Sequence, residues 1–153
     1  MLENKSSLFI GFKGKRNSSG LLVNEFSKKP CLLTNSFSGV QKDIESIDGT
    51  YDYVIMFGCD KSLKDFVRIE RFAEKGGVKN ETSLDIKLLS EVLTRDGIAN
   101  AISEVPTHYL CNEAYWYALQ KFEKKVVFIH IPTLKNIDDI FVAKMKACLK
   151  NWE

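Results

Sequence analysis

Short apolar runs alternate with segments of helical periodicity along nearly all of this chain, and that alternation limits the folds open to it. Leu8-Phe9-Ile10-Gly11-Phe12, Cys31-Leu32-Leu33 and Tyr53-Val54-Ile55-Met56-Phe57-Gly58 are too short for helices and read as buried strands. Val126 to Ile131 is a fourth such run, and Pro132 stops it. Phe66 to Phe72 and Ile98 to Ile102 supply two further strand candidates. Between them, Ser18-Ser19-Gly20 punctuates before a helix at Leu21 to Phe26. Ser36 caps a helix through Phe37, Val40, Ile44 and Ile47, and Ser83 caps one from Leu84 to Leu93 that stops at Asp96-Gly97. Gly76-Gly77 and the polar residues to Thr82 read as a connection. Helices are expected from Leu110 to Phe122 and from Ile137 to Trp152. Strands alternating with helices predict an α/β chain, a three-layer α/β/α sandwich around a mostly parallel sheet.

At 153 residues the simplest organisation is one domain spanning 1–153, with no repeat, low-complexity tract or linker. Lys and Arg are scattered among Asp and Glu, and the net charge is +2, so nothing favours nucleic acid. No run reaches the ~18 apolar residues of a membrane span. The first residues lack a signal peptide's apolar stretch, so a soluble, cytoplasmic protein is expected. Four widely separated cysteines and two histidines offer no recurrent metal-ligand spacing, so free thiols and no metal are expected.

Cys111 lies where a loop turns into a helix, in Tyr109-Leu110-Cys111-Asn112. The free N–H groups and dipole at a helix start favour a thiolate and could bind an oxyanion. His130 closes the next strand and can exchange a proton with that thiol, while Glu70, in Arg68-Ile69-Glu70-Arg71, can orient the imidazole. Three residue types on separate elements are a weak signal alone. Buried cysteines are commonly small hydrophobes, His130 could satisfy a carbonyl, and Glu70 could pair with a neighbouring arginine on a solvated strand. His108 is a rival base.

These segments together resemble pyroglutamyl peptidase I, the pyrrolidone-carboxylate peptidases of cysteine peptidase family C15. Leu84-Asp85-Ile86-Lys87, Gly97-Ile98-Ala99, Ser103, Tyr109-Leu110-Cys111-Asn112 and Phe128-Ile129-His130-Ile131-Pro132 follow the family's order. Tyr53 to Gly58 followed by Ile69-Glu70-Arg71-Phe72-Ala73 is similar to its glycine-ended strand and glutamate motif, and Leu8 to Phe12 to its opening strand. The resemblance implies a phosphorylase/hydrolase-like sandwich with a twisted central sheet. It also implies a thiol protease that needs no cofactor, with Cys111 as nucleophile, His130 as acid/base and Glu70 as orienting carboxylate. Phe12 would pack on the acyl group of a peptide or small amide whose N-terminus is blocked.

The chain departs from the family in several places. It is shorter, chiefly between Ala73 and Leu84. The family's Gly-Phe-x-Pro-Phe-Gly-Gly becomes Gly11-Phe12-Lys13-Gly14-Lys15-Arg16, which keeps one aromatic and substitutes basic residues that favour an acidic group or turn to solvent. Pro106-Thr107 replaces Ala-Gly before the nucleophile, and the arginine of the loop after Gly58 has only Lys61 or Lys64 as stand-ins. An omega-peptidase is therefore the leading reading. A catalytically silent or re-purposed binding or assembly domain is the alternative, and a transferase or deaminase-like use of the thiol is a third. Family members often form homo-oligomers, for which Tyr115-Trp116-Tyr117 and Trp152 are the candidate contacts here.

Overall fold

Val54 and Met56 face one way from their strand and Ile55 and Phe57 the other, and all four are fully buried. A strand buried on both faces requires a helix layer on each side, and the computed structural model supplies both. It describes residues 6–107 and 109–152. In chain order the elements are β1 (Ser7–Phe12), α1 (Ser18–Phe26), β2 (Cys31–Leu33), α2 (Phe37–Glu45), β3 (Tyr53–Cys59), β4 (Val67–Glu70), β5 (Phe72–Lys75) and β6 (Val78–Glu81). Then follow α3 (Ile86–Arg95), β7 (Asn100–Ser103), α4 (Leu110–Lys121), β8 (Val126–Ile131) and α5 (Asp139–Trp152).

Six strands form one sheet in the order β2-β1-β3-β8-β4-β7, and β5 and β6 form a separate antiparallel hairpin. Among the described residues of the six-stranded sheet, four ladders are parallel and that of β4 with β8 is antiparallel. The sheet is thus mixed but mostly parallel, as expected. On one face α1, α3 and α5 pack on Ile55, Phe57, Val67, Ile69, Val127 and Ile129. On the other, α2 and α4 set Val40, Ile44, Ala114, Tyr115 and Ala118 against Ile10, Met56 and Phe128.

Several local expectations change. Ser18-Ser19-Gly20 forms the first turn of α1, because the Asn17 side chain caps it by accepting from the Ser19 N–H. The single strand expected over Phe66 to Phe72 is two: Arg71 donates its N–H to the Ser103 carbonyl, and the chain then leaves the sheet for the hairpin. The connection around Gly76-Gly77 is that hairpin's turn, with φ of 59° and 79°, left-handed values that glycine adopts without steric cost. Asp85, not Ser83, caps α3 by accepting from the Leu88 N–H, since the Ser83 hydroxyl donates to the Lys124 carbonyl. Ser36 caps α2 as expected. Among the described residues no helix is long and apolar enough to cross a membrane.

Candidate active site

Three residues stand abreast in the sheet: Gly58 pairs with His130 along β3 and β8, and His130 pairs with Arg68 across the antiparallel ladder. Two residues along β4 from Arg68, and therefore on the same face, is Glu70. Register thus carries a histidine, an arginine and a glutamate to one patch beneath α4. Gly58 leaves room above the row: a Cβ there would meet Cys111 Sγ at 2.9 Å and the Phe128 ring at 2.7 Å. The absent side chain is what lets the sulfur descend onto the sheet.

Glu70 and His130 are buried, at 3% and 4% exposure. His130 Nδ1 lies 2.9 Å from Glu70 Oε2, and Arg68 Nε donates to the same oxygen at 2.6 Å. Arg68 Nη2 donates to Asp60 Oδ2 at 2.9 Å and sits 3.3 Å from His130 Nδ1. Glu70 is thus both imidazole partner and half of an ion pair, but the pair is buried and not on the solvated strand that the second reading supposed. The Tyr115 hydroxyl donates to the Glu70 carbonyl at 2.8 Å, tying α4 to β4. Glu70 Oε1 is buried with no hydrogen-bond partner among the described residues.

Cys111 occupies the first turn of α4. The N-cap, Tyr109, provides no side-chain cap, and its carbonyl takes the Asn112 and Glu113 N–H groups. The N–H of Cys111 has no acceptor among the described residues and points out of the helix start. Asn112 fixes this turn to the hairpin with a pair of bonds, accepting from the Glu74 N–H and donating to the Glu74 carbonyl, both at 2.8 Å.

A cleft of about 520 Å³ opens above the row, lined among others by Asn17, Asp60, Arg68, Tyr109, Cys111 and His130. Burial, and then the Glu70 and Asp60 carboxylates, push the Cys111 thiol up to about 12, with Arg68 pulling the other way. The helix start was expected to lower it. Desolvation and two nearby carboxylates outweigh that dipole, so the resting sulfur is a neutral thiol. Burial opposes the charge on Arg68, but its bonds to Glu70 and Asp60 more than compensate and raise it. Asp60, also opposed by burial, is held low by its bonds from Ser62 and Arg68.

The structure brings Cys111, His130 and Glu70 to one place and leaves Phe12 elsewhere. Phe12, expected on the substrate, is 2% exposed in the core with its ring 6.5 Å from Phe128, outside the residues that line the cleft. Lys15 and Arg16 are exposed and do not line it either. Lys61 reaches the cleft wall and Lys64 does not, but the cation bonded into the site is Arg68. His108 lies outside the described residues. Tyr115 is buried, Trp116 and Tyr117 are half-buried, and Trp152 packs on Tyr53 and donates to the Asp85 carbonyl. Sequence reasoning missed Asp60, Asn112 and the role of Arg68. The only available signal was the i, i+2 spacing of Arg68 and Glu70 on an alternating strand. Among the described residues no three His, Cys, Asp or Glu side chains gather to hold a metal ion.

Against solved structures, the chain matches the pyrrolidone carboxyl peptidase of Thermus thermophilus with a TM-score of 0.78, over 94% of this chain and 97% of that one. The fold is that of the pyrrolidone carboxyl peptidases. The enzyme of the keratin-degrading Fervidobacterium islandicum AW-1 matches at 0.77 over 97% and 96%. Pyroglutamyl peptidase I of Bacillus amyloliquefaciens matches at 0.74 over 95% of each chain. Sequence identities are 18%, 20% and 18% respectively, so the likeness is one of fold. No family model and no curated protein matches the sequence.

Proposed function

We propose that this protein is a cysteine omega-peptidase that removes a pyroglutamyl or related N-terminal acyl group from a peptide or small amide. The observation that carries the reading is the 2.9 Å contact between His130 Nδ1 and Glu70 Oε2 at the base of the cleft that Cys111 lines. That contact leaves His130 Nε2 as the nitrogen to take the thiol proton. Because the resting thiol is neutral, proton transfer accompanies attack: the S–H proton passes to His130 as Sγ bonds to the acyl carbon. The carbonyl oxygen becomes an oxyanion, which the Cys111 N–H at the helix start can stabilise. Collapse breaks the C–N bond, and His130 gives its proton to the leaving amine. Water, deprotonated by His130, then hydrolyses the thioester and restores the thiol.

Pyroglutamyl is the first acyl group to test because the structures sharing this fold are pyrrolidone carboxyl peptidases. With Phe12 in the core and Lys61 and Arg68 on the cleft wall, the acyl pocket is more polar than two flanking aromatics would make it. The decisive assay is release of a fluorogenic amine from a pyroglutamyl amide by the wild type and by Cys111→Ala. Turnover that falls at least about 10³-fold on substitution supports the nucleophile and the acyl group together. Absence of turnover by the wild type on pyroglutamyl and on a panel of aminoacyl amides would establish instead the silent binding or assembly domain.

A further inference from the structure

Arg68 stands directly across the ladder from His130, in the antiparallel pairing of β4 with β8. Its guanidinium donates to Glu70 Oε2 and Asp60 Oδ2 and comes within 3.3 Å of His130 Nδ1, which itself lies 2.9 Å from that Glu70 oxygen. A guanidinium donates and never accepts. If Nδ1 carried the lone pair, it would accept from Arg68 Nη2 at 3.3 Å but confront a Glu70 lone pair at the shorter 2.9 Å, and the shorter, carboxylate contact decides. A proton on Nδ1 removes that conflict and satisfies Oε2, and the approach of Nη2 then sets one positive group against the ring edge that would bear an imidazolium's charge. Both bonds converge on Oε2 while Oε1 has no partner among the described residues, so arginine and imidazole share a single carboxylate oxygen.

We propose that Arg68 is a positioning residue that locks Glu70 so that His130 is held as its Nδ1–H tautomer, and that its fixed charge offsets that of Glu70 beside the imidazole. The catalytic meaning rests on the peptidase reading; the tautomer and its electrostatics do not. The other titratable groups that line the cleft and its floor with the imidazole are Cys59, Asp60 and Lys61 at the end of β3, Tyr109 before α4, and Cys111 and Tyr115 on α4. Asp60 is already paired with Arg68, Cys111 is neutral, and burial keeps the Tyr115 phenol protonated. Removing the guanidinium therefore exposes the ring to two uncompensated carboxylates.

The chain has two histidines, so ¹⁵N spectra of the imidazoles are assignable with His130→Gln. The wild type should show the Nδ1–H tautomer at neutral pH. In Arg68→Gln the ring should take its second proton about one pH unit higher, the direction an unbalanced carboxylate imposes, while Arg68→Lys stays near the wild type. An Nε2–H tautomer in the wild type, or a titration in Arg68→Gln that coincides with it, would overturn the inference. Should Arg68→Gln fail to fold, the wild-type tautomer and Arg68→Lys decide. If pyroglutamyl amides are cleaved, the acid limb of kcat/KM moves up by the same amount in Arg68→Gln. Spectra as expected in a chain that cleaves nothing would refute the peptidase reading and leave Arg68 as assigned.

Discussion

A missing side chain shapes this site as much as those present. Gly58 lets Cys111 Sγ and the Phe128 ring approach the sheet where any Cβ would collide with both. Gly58→Ala should therefore cost about 1–3 kcal/mol of overpacking. Because misplacement by an ångström is expensive in catalysis, it should lower kcat by roughly 10²-fold with little change in KM. Denaturant unfolding and steady-state kinetics on the same preparation separate the two effects. At this scale the sequence was informative about identities: Cys111, His130 and Glu70 stood out because a thiol at a helix start, a strand-ending imidazole and a strand carboxylate are types that acyl transfer uses. It was silent on Arg68 as a partner of His130, since residues 62 positions apart meet only through strand register, which no local pattern encodes. It also misjudged the thiol, because burial and the carboxylates that oppose its ionisation come from other elements.

At the scale of elements, the hairpin β5–β6 steadies the start of α4. Asn112 holds the Glu74 backbone with two bonds, and Lys75 pairs with Glu113 at 3.0 Å one position further along the helix. Asn112→Ala should lose about 1–3 kcal/mol, the cost of leaving partly buried backbone groups without partners. Asn112→Asp should recover little, because it keeps an acceptor for the Glu74 N–H but sets an oxygen against the Glu74 carbonyl. Urea midpoints of the two variants test this, and an Asn112→Ala midpoint equal to the wild type would refute the role. The hairpin was also where sequence reading fell short. Strict alternation stops at Glu70-Arg71, two polar residues in succession, and a strand read through that break to Phe72 joins two strands that belong to different sheets. The cap at Ser83 looked sound by residue type, yet its hydroxyl is engaged by a carbonyl 41 positions away.

For the whole molecule, layers and sheet type were legible because a strand buried on both faces has few solutions, whereas the order of strands was not. Burial also gives stability a pH dependence. Cys31 is pushed up to about 11 and Cys111 and Cys148 to about 12, in each case chiefly by desolvation, from an ordinary 9.0. Well below pH 9 these thiols are protonated folded or unfolded. As pH rises from about 9 towards 11 or 12 the unfolded chain releases protons that the folded chain retains, so stability falls across that window. The urea midpoint should drop between pH 8 and pH 10.5, and less steeply in Cys111→Ala; parallel slopes would show that this thiol is not held back. The sheet order carries a further consequence. β3 and β4 never pair with each other, and the strand that joins them, β8, is the last to be made. A ribosome that has released residue 125 therefore holds two half-sheets with bare edges facing one another, and closure of the sheet and alignment of Gly58, His130 and Arg68 happen in the same late event. Assembly of the proposed catalytic row thus waits on β8.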